Sequence, residues 1–479
     1  AADSGDAPDD ASYFSVESSK LCREEKVAQA IEDIASTVRD QDDTQRALEN
    51  YTEALEIRRS IDETGLSVAK TLRLIGRLHL QRKEWELAIL RLEEELKILT
   101  NLLDERTPSI AYCYHSIGKA YEGKDDLRQA LDYFERARKA SDNAASAGSD
   151  IEFTHIMFDT GNILLQMSKE SNLEGNDFQL ALTCLKQAFD GYKTFYGETC
   201  VEVANTLFLQ GELFYAHADY KTGINCFEEA LRLYRLSLGE EHIKVARTLN
   251  LIGLCHLESG TDDDYAMECF DACLAILQSK GHEGTEDHAC VLFYKAAAHE
   301  KKEQNDLAIV CYEGSVQYYQ KLLGLDAMKI AVVLEKLGTC LLNDHEPEKA
   351  KVKLEEAIRI RKTHQADNDL ETSEIWYGLG IAYCEEKEFN KSLDAYEKSY
   401  LLRQELLGES HVEVAQVLNN VGSVFARAGE YERASSPWND ALAMFRDAGL
   451  KDDNERVKTT LSNIALSRNL ISVNKEGDS

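Results

Sequence analysis

The chain has 479 residues, of which 86 are acidic and 54 basic, giving a formal net charge of -32. Nucleic acids and anionic membranes demand a basic footprint, so neither is expected as a partner, and no apolar run is long enough to span a bilayer. Only four prolines (Pro8, Pro108, Pro347 and Pro437) punctuate a sequence rich in helix formers, which points to an all-α protein.

The first residues read Ala-Ala-Asp without a methionine, which leaves a removed targeting segment open. Residues 1–20 are acidic and Ser-rich and are expected to form a disordered tail. Beyond them a small residue recurs as Ala35, Gly76, Gly118, Gly161, Gly211, Gly253, Ala296, Gly338, Gly380 and Gly422. The spacing is 41 to 43 residues, apart from one interval of 50 between Gly161 and Gly211. About twelve positions after each comes a second small residue, from Ala47 and Ala88 through Gly223 to Ser392 and Ala434. Four residues later stands a large apolar one: Tyr51, Leu92, Phe134, Leu185, Phe227, Phe270, Tyr312, Leu354, Tyr396 and Trp438. A fixed period of this size marks a solenoid. Two antiparallel helices approach closely only where small residues face, and the large residue fills the groove beside them.

The extra residues after Gly161, within 167–177, are placed between the two helices of that hairpin, because loops absorb insertions at little cost. Turns such as Glu-Ser-Gly-Thr-Asp carry a Gly suited to a left-handed helix end. "VKTTLSNIA" (457–465) repeats the first-helix phrase without a second helix after it. With Arg456, Lys458, Ser462 and Arg468 on its outer side it is expected to cap the array. The domain reading is a tail over 1–20, ten repeats over 21–452, a capping helix over 453–472 and a polar tail over 473–479.

The columns of small and large residues resemble the tetratricopeptide repeat, with a period longer than its usual length of about 34. "LGEEHIKVARTLNLIG" (238–253), "LGESHVEVAQVLNNVG" (407–422) and "GEYERASSPWNDALAMF" (429–445), with Pro437 in a second helix, are similar to the kinesin-light-chain type of that family. Kinesin light chains carry a long heptad region ahead of their repeats; residues 1–20 show no heptad, so the resemblance supports fold and binding surface rather than motor membership. It implies a right-handed α-solenoid of ten hairpins and a cap, whose first helices line a concave face.

Chemistry-bearing motifs are absent: no phosphate-binding loop, no H-E-x-x-H, no nucleophile elbow and no calcium loop. Asp262, Asp263 and Asp264 read as a solvated turn, and His242 and His411 as polar residues leading into a helix. Twelve cysteines without a C-x-x-C pair, among them Cys269 and Cys273 one helical turn apart, read as small buried hydrophobes in a reducing, cytoplasmic setting. No enzyme activity, cofactor or metal is expected.

What remains is a surface. Positions that line the family's groove are Lys70, Arg73, Arg77, His115, Lys119 and Asn162, a basic end able to grip a carboxylate, with Glu32 and Asp33 placed to neutralise Arg73. Further along the same positions hold Phe158, Phe208, Tyr215, Asn250, Phe293, Tyr294, Tyr377, Asn419 and Asn420, which can anchor apolar side chains or hold backbone, unless a lengthened repeat turns the aromatics into the core. The expected function is a non-catalytic adaptor that binds an extended, acidic peptide segment of another protein. Two alternatives stand beside it: a structural subunit docking through its convex face or loops, and a cargo adaptor like the kinesin light chains.

Overall fold

The computed structural model describes residues 10–40, 43–141, 150–170, 175–279, 281 and 284–477. Every regular element among them is an α-helix, and the chain falls into two compact units, residues 1–240 and 241–479. The first unit contains five hairpins. They are α1 (Asp10–Asp40) with α2 (Thr44–Ile61), α3 (Leu66–Gln81) with α4 (Trp85–Leu102), and α5 (Pro108–Gly123) with α6 (Leu127–Ser141). The last two are α7 (Ile151–Glu170) with α8 (Gly175–Tyr196), and α9 (Val201–Ala216) with α10 (Tyr220–Leu238). The second unit holds α11 (Ile243–Ser259) with α12 (Asp263–Ser279), α13 (Glu286–Lys301) with α14 (Asn305–Leu323), and α15 (Met328–Asn343) with α16 (Pro347–Thr363). It continues with α17 (Leu370–Glu385) and α18 (Phe389–Leu407), α19 (Val412–Arg427) and α20 (Tyr431–Asp447), and a final α21 (Glu455–Gly477). Within each unit a second helix packs on the first helix of the next hairpin, so the unit is an all-α repeat solenoid.

The small-residue column makes the hairpins possible. A Cβ added at Gly118 would lie 2.5 Å from the Phe134 ring, at Gly253 2.8 Å from Phe270, at Gly338 2.5 Å from Leu354, and at Gly422 2.6 Å from Trp438. In each case the obstacle is the large residue of the paired second helix. Ala35 and Ala296 take this place opposite Tyr51 and Tyr312, and all four are buried. Tyr51 places its hydroxyl 3.0 Å from Ser36, and Tyr312 donates to Glu300 at 3.0 Å.

Turn chemistry separates the helices in a fixed register. Seven residues after the small position the backbone enters the left-handed region: Lys83, Asp125, Ala218, Gly260, Glu303, His345, Lys387 and Gly429. Glycine therefore suits this turn, as Gly260 and Gly429 illustrate, but six hairpins bend there without it. Between hairpins, Gly239 and Gly408 adopt φ of 92° and 93° after α10 and α18. His242 and His411 then cap α11 and α19, their Nδ1 atoms accepting from the backbone N–H of Lys244 and Glu413 at 3.1 and 3.2 Å. The repeated phrase "LGE-H" thus spells a helix stop followed by a helix start.

Three stretches differ from the sequence reading. Helix α1 begins at Asp10, inside the expected tail, since no Pro or Gly occurs between Pro8 and Gly65; residues 1–9 lie outside the described residues. The insertion after Gly161 lengthens helices: α7 runs on to Glu170 and α8 starts at Gly175, with residues 171–174 outside the description. Helix α21 extends to Gly477, through most of the expected polar tail. It buries Val457, Thr460, Ile464 and Ser467 and leaves Arg456, Lys458, Ser462 and Arg468 exposed. Pro437 lies inside α20 without ending it.

Two stability measurements check this account. Gly253→Leu overpacks one hairpin and lowers stability by about 1–3 kcal/mol, with hydrogen-exchange protection lost across residues 245–275. Ala218→Gly relieves the left-handed turn at φ 56° and raises stability by about 0.5–1 kcal/mol in urea unfolding, because glycine enters that region without a Cβ clash.

Candidate interaction face

The first helices carry two groups of candidate residues, one in each unit. In the first unit Lys70, Arg73 and Arg77 project from α3, His115 and Lys119 from α5, and Phe158 and Asn162 from α7. Each basic side chain here meets a carboxylate. Arg73 donates through Nε to Glu95 at 2.6 Å, and Arg77 lies 3.9 Å from Glu152. His115 Nε2 and Lys119 Nζ share Asp159, at 2.8 and 3.3 Å, and Lys119 also reaches Glu122 at 2.6 Å. Asn162 donates to Glu122 at 3.4 Å. The partner of Arg73 is thus Glu95 of the same hairpin, where the sequence offered Glu32 and Asp33. Glu32 instead pairs with buried Arg58, accepts from Thr71 at 2.9 Å and lies 3.5 Å from Lys70.

These pairings set the local charge states. Burial alone would raise the Asp159 carboxyl, but the hydrogen bond and charge of His115, with Lys119, hold it below its ordinary value. Burial works against the charged Lys119, yet Asp159 and Glu122 prevail and raise its pKa. Glu95 is the opposite case: burial raises its carboxyl above the usual range although Arg73 opposes the shift.

Position within the repeat decides which candidates are free. Three residues before the small position come Arg73, His115, Phe158, Phe208, Asn250, Phe293, Tyr377 and Asn419, and this column leans into the hairpins. His115 lies against Phe134, Phe208 against Phe227, Phe293 against Tyr312 and Tyr377 against Tyr396, with ring centroids 5.5 to 5.7 Å apart. Phe158 meets Tyr192 edge-on. Asn419 is buried and accepts from Thr460 of α21 at 3.0 Å. Asn420 donates to the hydroxyls of Tyr377 and Tyr396 at 2.9 and 3.3 Å, and Tyr215 packs on Tyr220.

In the second unit the first helices enclose a cavity of about 640 Å³. Ile243 and Arg247 of α11, Cys290, Phe293 and Tyr294 of α13, Tyr319 of α14, and Lys329 and Val332 of α15 line it. Arg247 forks onto Asp287 at 2.9 and 3.0 Å, and Lys329 pairs with Glu286. Asn250, one turn along α11 from Arg247, keeps its carbonyl Oδ1 buried without a hydrogen-bond partner. Burial pushes the Tyr294 hydroxyl up to about 12 and also raises the Cys290 thiol, so both stay protonated at neutral pH. Sequence spacing singled out Phe293 and Tyr294 but missed Arg247, Lys329 and Val332, whose alignment with them needs the helix rotation.

Arg58, Arg361 and Arg403 were also missed. All three are buried at one position of the second helix, where other hairpins hold Leu99, Tyr192, Tyr234 or Phe445. Arg58 donates to Glu25 at 3.0 Å, Arg361 to Thr372 at 2.8 Å, and Arg403 lies 2.7 Å from Glu374. Arginine in a column of large apolar residues was the available signal. Asp263 and Asp264, read as turn residues, open α12 and pair with Lys301 and Lys302. All twelve cysteines are free, and the described residues contain no group of three or more His, Cys, Asp or Glu side chains suited to a metal ion.

The Asp159 cluster makes a pH prediction. A carboxyl with a lowered folded pKa stabilises the fold above its ordinary value and loses that contribution as pH falls through the lowered one. Asp159→Asn should therefore cost about 1–3 kcal/mol at neutral pH. In urea unfolding, the gap between variant and parent should close as pH falls below about 4, the ordinary aspartate range.

Comparisons with known proteins agree with the repeat geometry. The family profile described as tetratricopeptide repeat matches residues 26–101, 111–143 and 371–447, the first three and last two hairpins. A TPR repeat-containing protein of Dictyostelium discoideum is 27% identical over 133 residues, which are 27% of this chain and 8% of that protein. This chain therefore corresponds to only a small part of that relative. Among solved structures, RapI in its apo form is similar at 13% identity and a TM-score of 0.46, covering 62% of this chain and 99% of its own. TPR-like repeats from Podosopora anserina assigned to a kinesin light chain are similar at 14% identity and a TM-score of 0.39, covering 44% and 100%. With ten equivalent hairpins in register with the matched segments, this chain is a tetratricopeptide-repeat protein.

Proposed function

We propose that this chain is a non-catalytic scaffold that holds an extended segment of a partner protein against its first helices. The cavity between α11, α13 and α15 carries the reading. It combines an apolar floor of Phe293, Tyr294 and Val332 with cationic Arg247 and Lys329 at the side. An apolar anchor residue flanked by acidic ones is the complementary partner chemistry. The unpartnered Asn250 carbonyl on the same helix suits a backbone N–H of such a segment. Because Arg247 and Lys329 already pair with Asp287 and Glu286, an incoming carboxylate exchanges one partner for another. Selectivity therefore comes from the apolar anchor more than from charge.

A second reading rests on a different surface. Leu307 and Val310 of α14 and Val352 of α16 are exposed on second helices, with Val310 at 65%. They would serve a subunit that docks by its outer face.

The test is a comparative pull-down read by mass spectrometry. Its baits are the parent chain, a Tyr294→Ala and Arg247→Glu variant, an Arg73→Glu, Arg77→Glu and Lys119→Glu variant, and a Val310→Glu variant, each checked for unchanged melting. Loss of a discrete set of partners with the Tyr294 variant, at a cost of about 2 kcal/mol or roughly thirtyfold in affinity, is the expected result. Retention there with loss through Val310→Glu would transfer the function to the second-helix face.

A further inference from the structure

Seven residues after the second small position, the second helices carry another column: Ala54, Glu95, Ala137, Ala188, Ala230, Cys273, Ser315, Ala357, Ser399 and Ala441. All ten are buried, and nine of them are Ala, Ser or Cys. Glu95 alone puts a carboxylate there, with no exposure at all.

Packing gives no reason for it, since alanine fills the place in six of the other hairpins. Stability gives little more, because a buried ion pair is often no better than apolar residues of similar volume. What Glu95 does is hold Arg73. The bond runs from Arg73 Nε to Glu95 Oε1 at 2.6 Å, which fixes the side chain at the root of its guanidinium. Among the described residues neither terminal nitrogen of Arg73 has a hydrogen-bond or ion-pair partner, and the side chain is 23% exposed. The other groove cations are engaged through their terminal nitrogens: Arg77 with Glu152, Lys119 with Glu122 and Asp159, and Arg247 with Asp287. Arg73 thus presents an open planar fork on a fixed stem, the form that binds a carboxylate through two parallel hydrogen bonds.

We propose that Arg73 is a preset receptor for a side-chain carboxylate of the bound peptide segment, and that Glu95 is its positioning residue. This rests on the first-helix-face reading above. Fixing the stem beforehand lowers the ordering cost on binding, so Glu95 acts on affinity without touching the ligand. The neighbouring hairpins have His115 and Glu32 at the Arg73 position, and neither offers a fork.

The experiment titrates the full chain, at low ionic strength, with fluorescent pentaglutamate and with pentaglutamine. Variants are Glu95→Ala, Glu95→Gln and Arg73→Lys, with thermal melting as the control for folding. The Arg73 Nε–H resonance, assigned by its loss in Arg73→Lys, reports the position of the guanidinium. Expected are binding of pentaglutamate but not pentaglutamine, a loss of at least tenfold in all three variants, unchanged melting, and a displaced Nε–H resonance in both Glu95 variants. If Arg73→Lys weakens binding while both Glu95 variants bind as the parent does, the positioning role is overturned and the first-helix reading survives. If the parent ignores pentaglutamate or takes pentaglutamine equally well, the receptor itself is overturned.

Discussion

A glycine or alanine pressed against one large side chain, repeated in every hairpin, is the contact on which the remaining structure depends. At Gly118, Gly211, Gly338 and Gly380 the space for a Cβ is already taken by Phe134, Phe227, Leu354 and Tyr396. That closeness fixes the distance and rotation of the two helices. Rotation in turn decides which first-helix positions lean into the hairpin and which reach the open face. Residues three before the small position are drawn toward the second helix, and the exposed Lys70 and Arg77 are left outside.

Function is written in departures from this rule. Where a column of small residues admits Glu95, the first helix answers with Arg73; where a column of large apolar residues admits Arg58, Glu32 and Thr71 surround it. Each exception is a charged group that the packing does not require, held by partners on neighbouring helices. The strongly negative composition does not translate into a bare negative face here, because cations and carboxylates meet in pairs along the first helices. Exposed pairs of this kind contribute little stability and exchange readily. A surface built from them recognises shape and a few anchors.

Much of the architecture was legible in the sequence because it rests on residue size. The Gly76 and Leu92 columns, the His242 and His411 positions and the capping phrase at 457–465 all reflect local geometry at fixed spacing. The pairing of charges was not legible, since partners such as His115 and Asp159 or Arg247 and Asp287 lie 44 and 40 residues apart. Their meeting depends on how one hairpin rotates on the next. The aromatics at Phe208, Phe293 and Tyr377 show the same limit: spacing put them on the groove helix, while only rotation could reveal that they lean on Phe227, Tyr312 and Tyr396. Left-handed turns at Lys83 and Lys387 were hidden because neither residue type advertises that conformation.

The central claim, that partners are held on the first helices, is tested most directly by site-specific photo-crosslinking in native extract. A photoreactive residue at Val332 or Lys70 probes the first helices, and one at Val310 or Leu90 probes the second; all four positions are exposed. The account predicts that defined partner proteins are captured from Val332 and Lys70 and are absent from Val310 and Leu90. Capture of the same partners from Val310 or Leu90, with none from the first-helix positions, would contradict it.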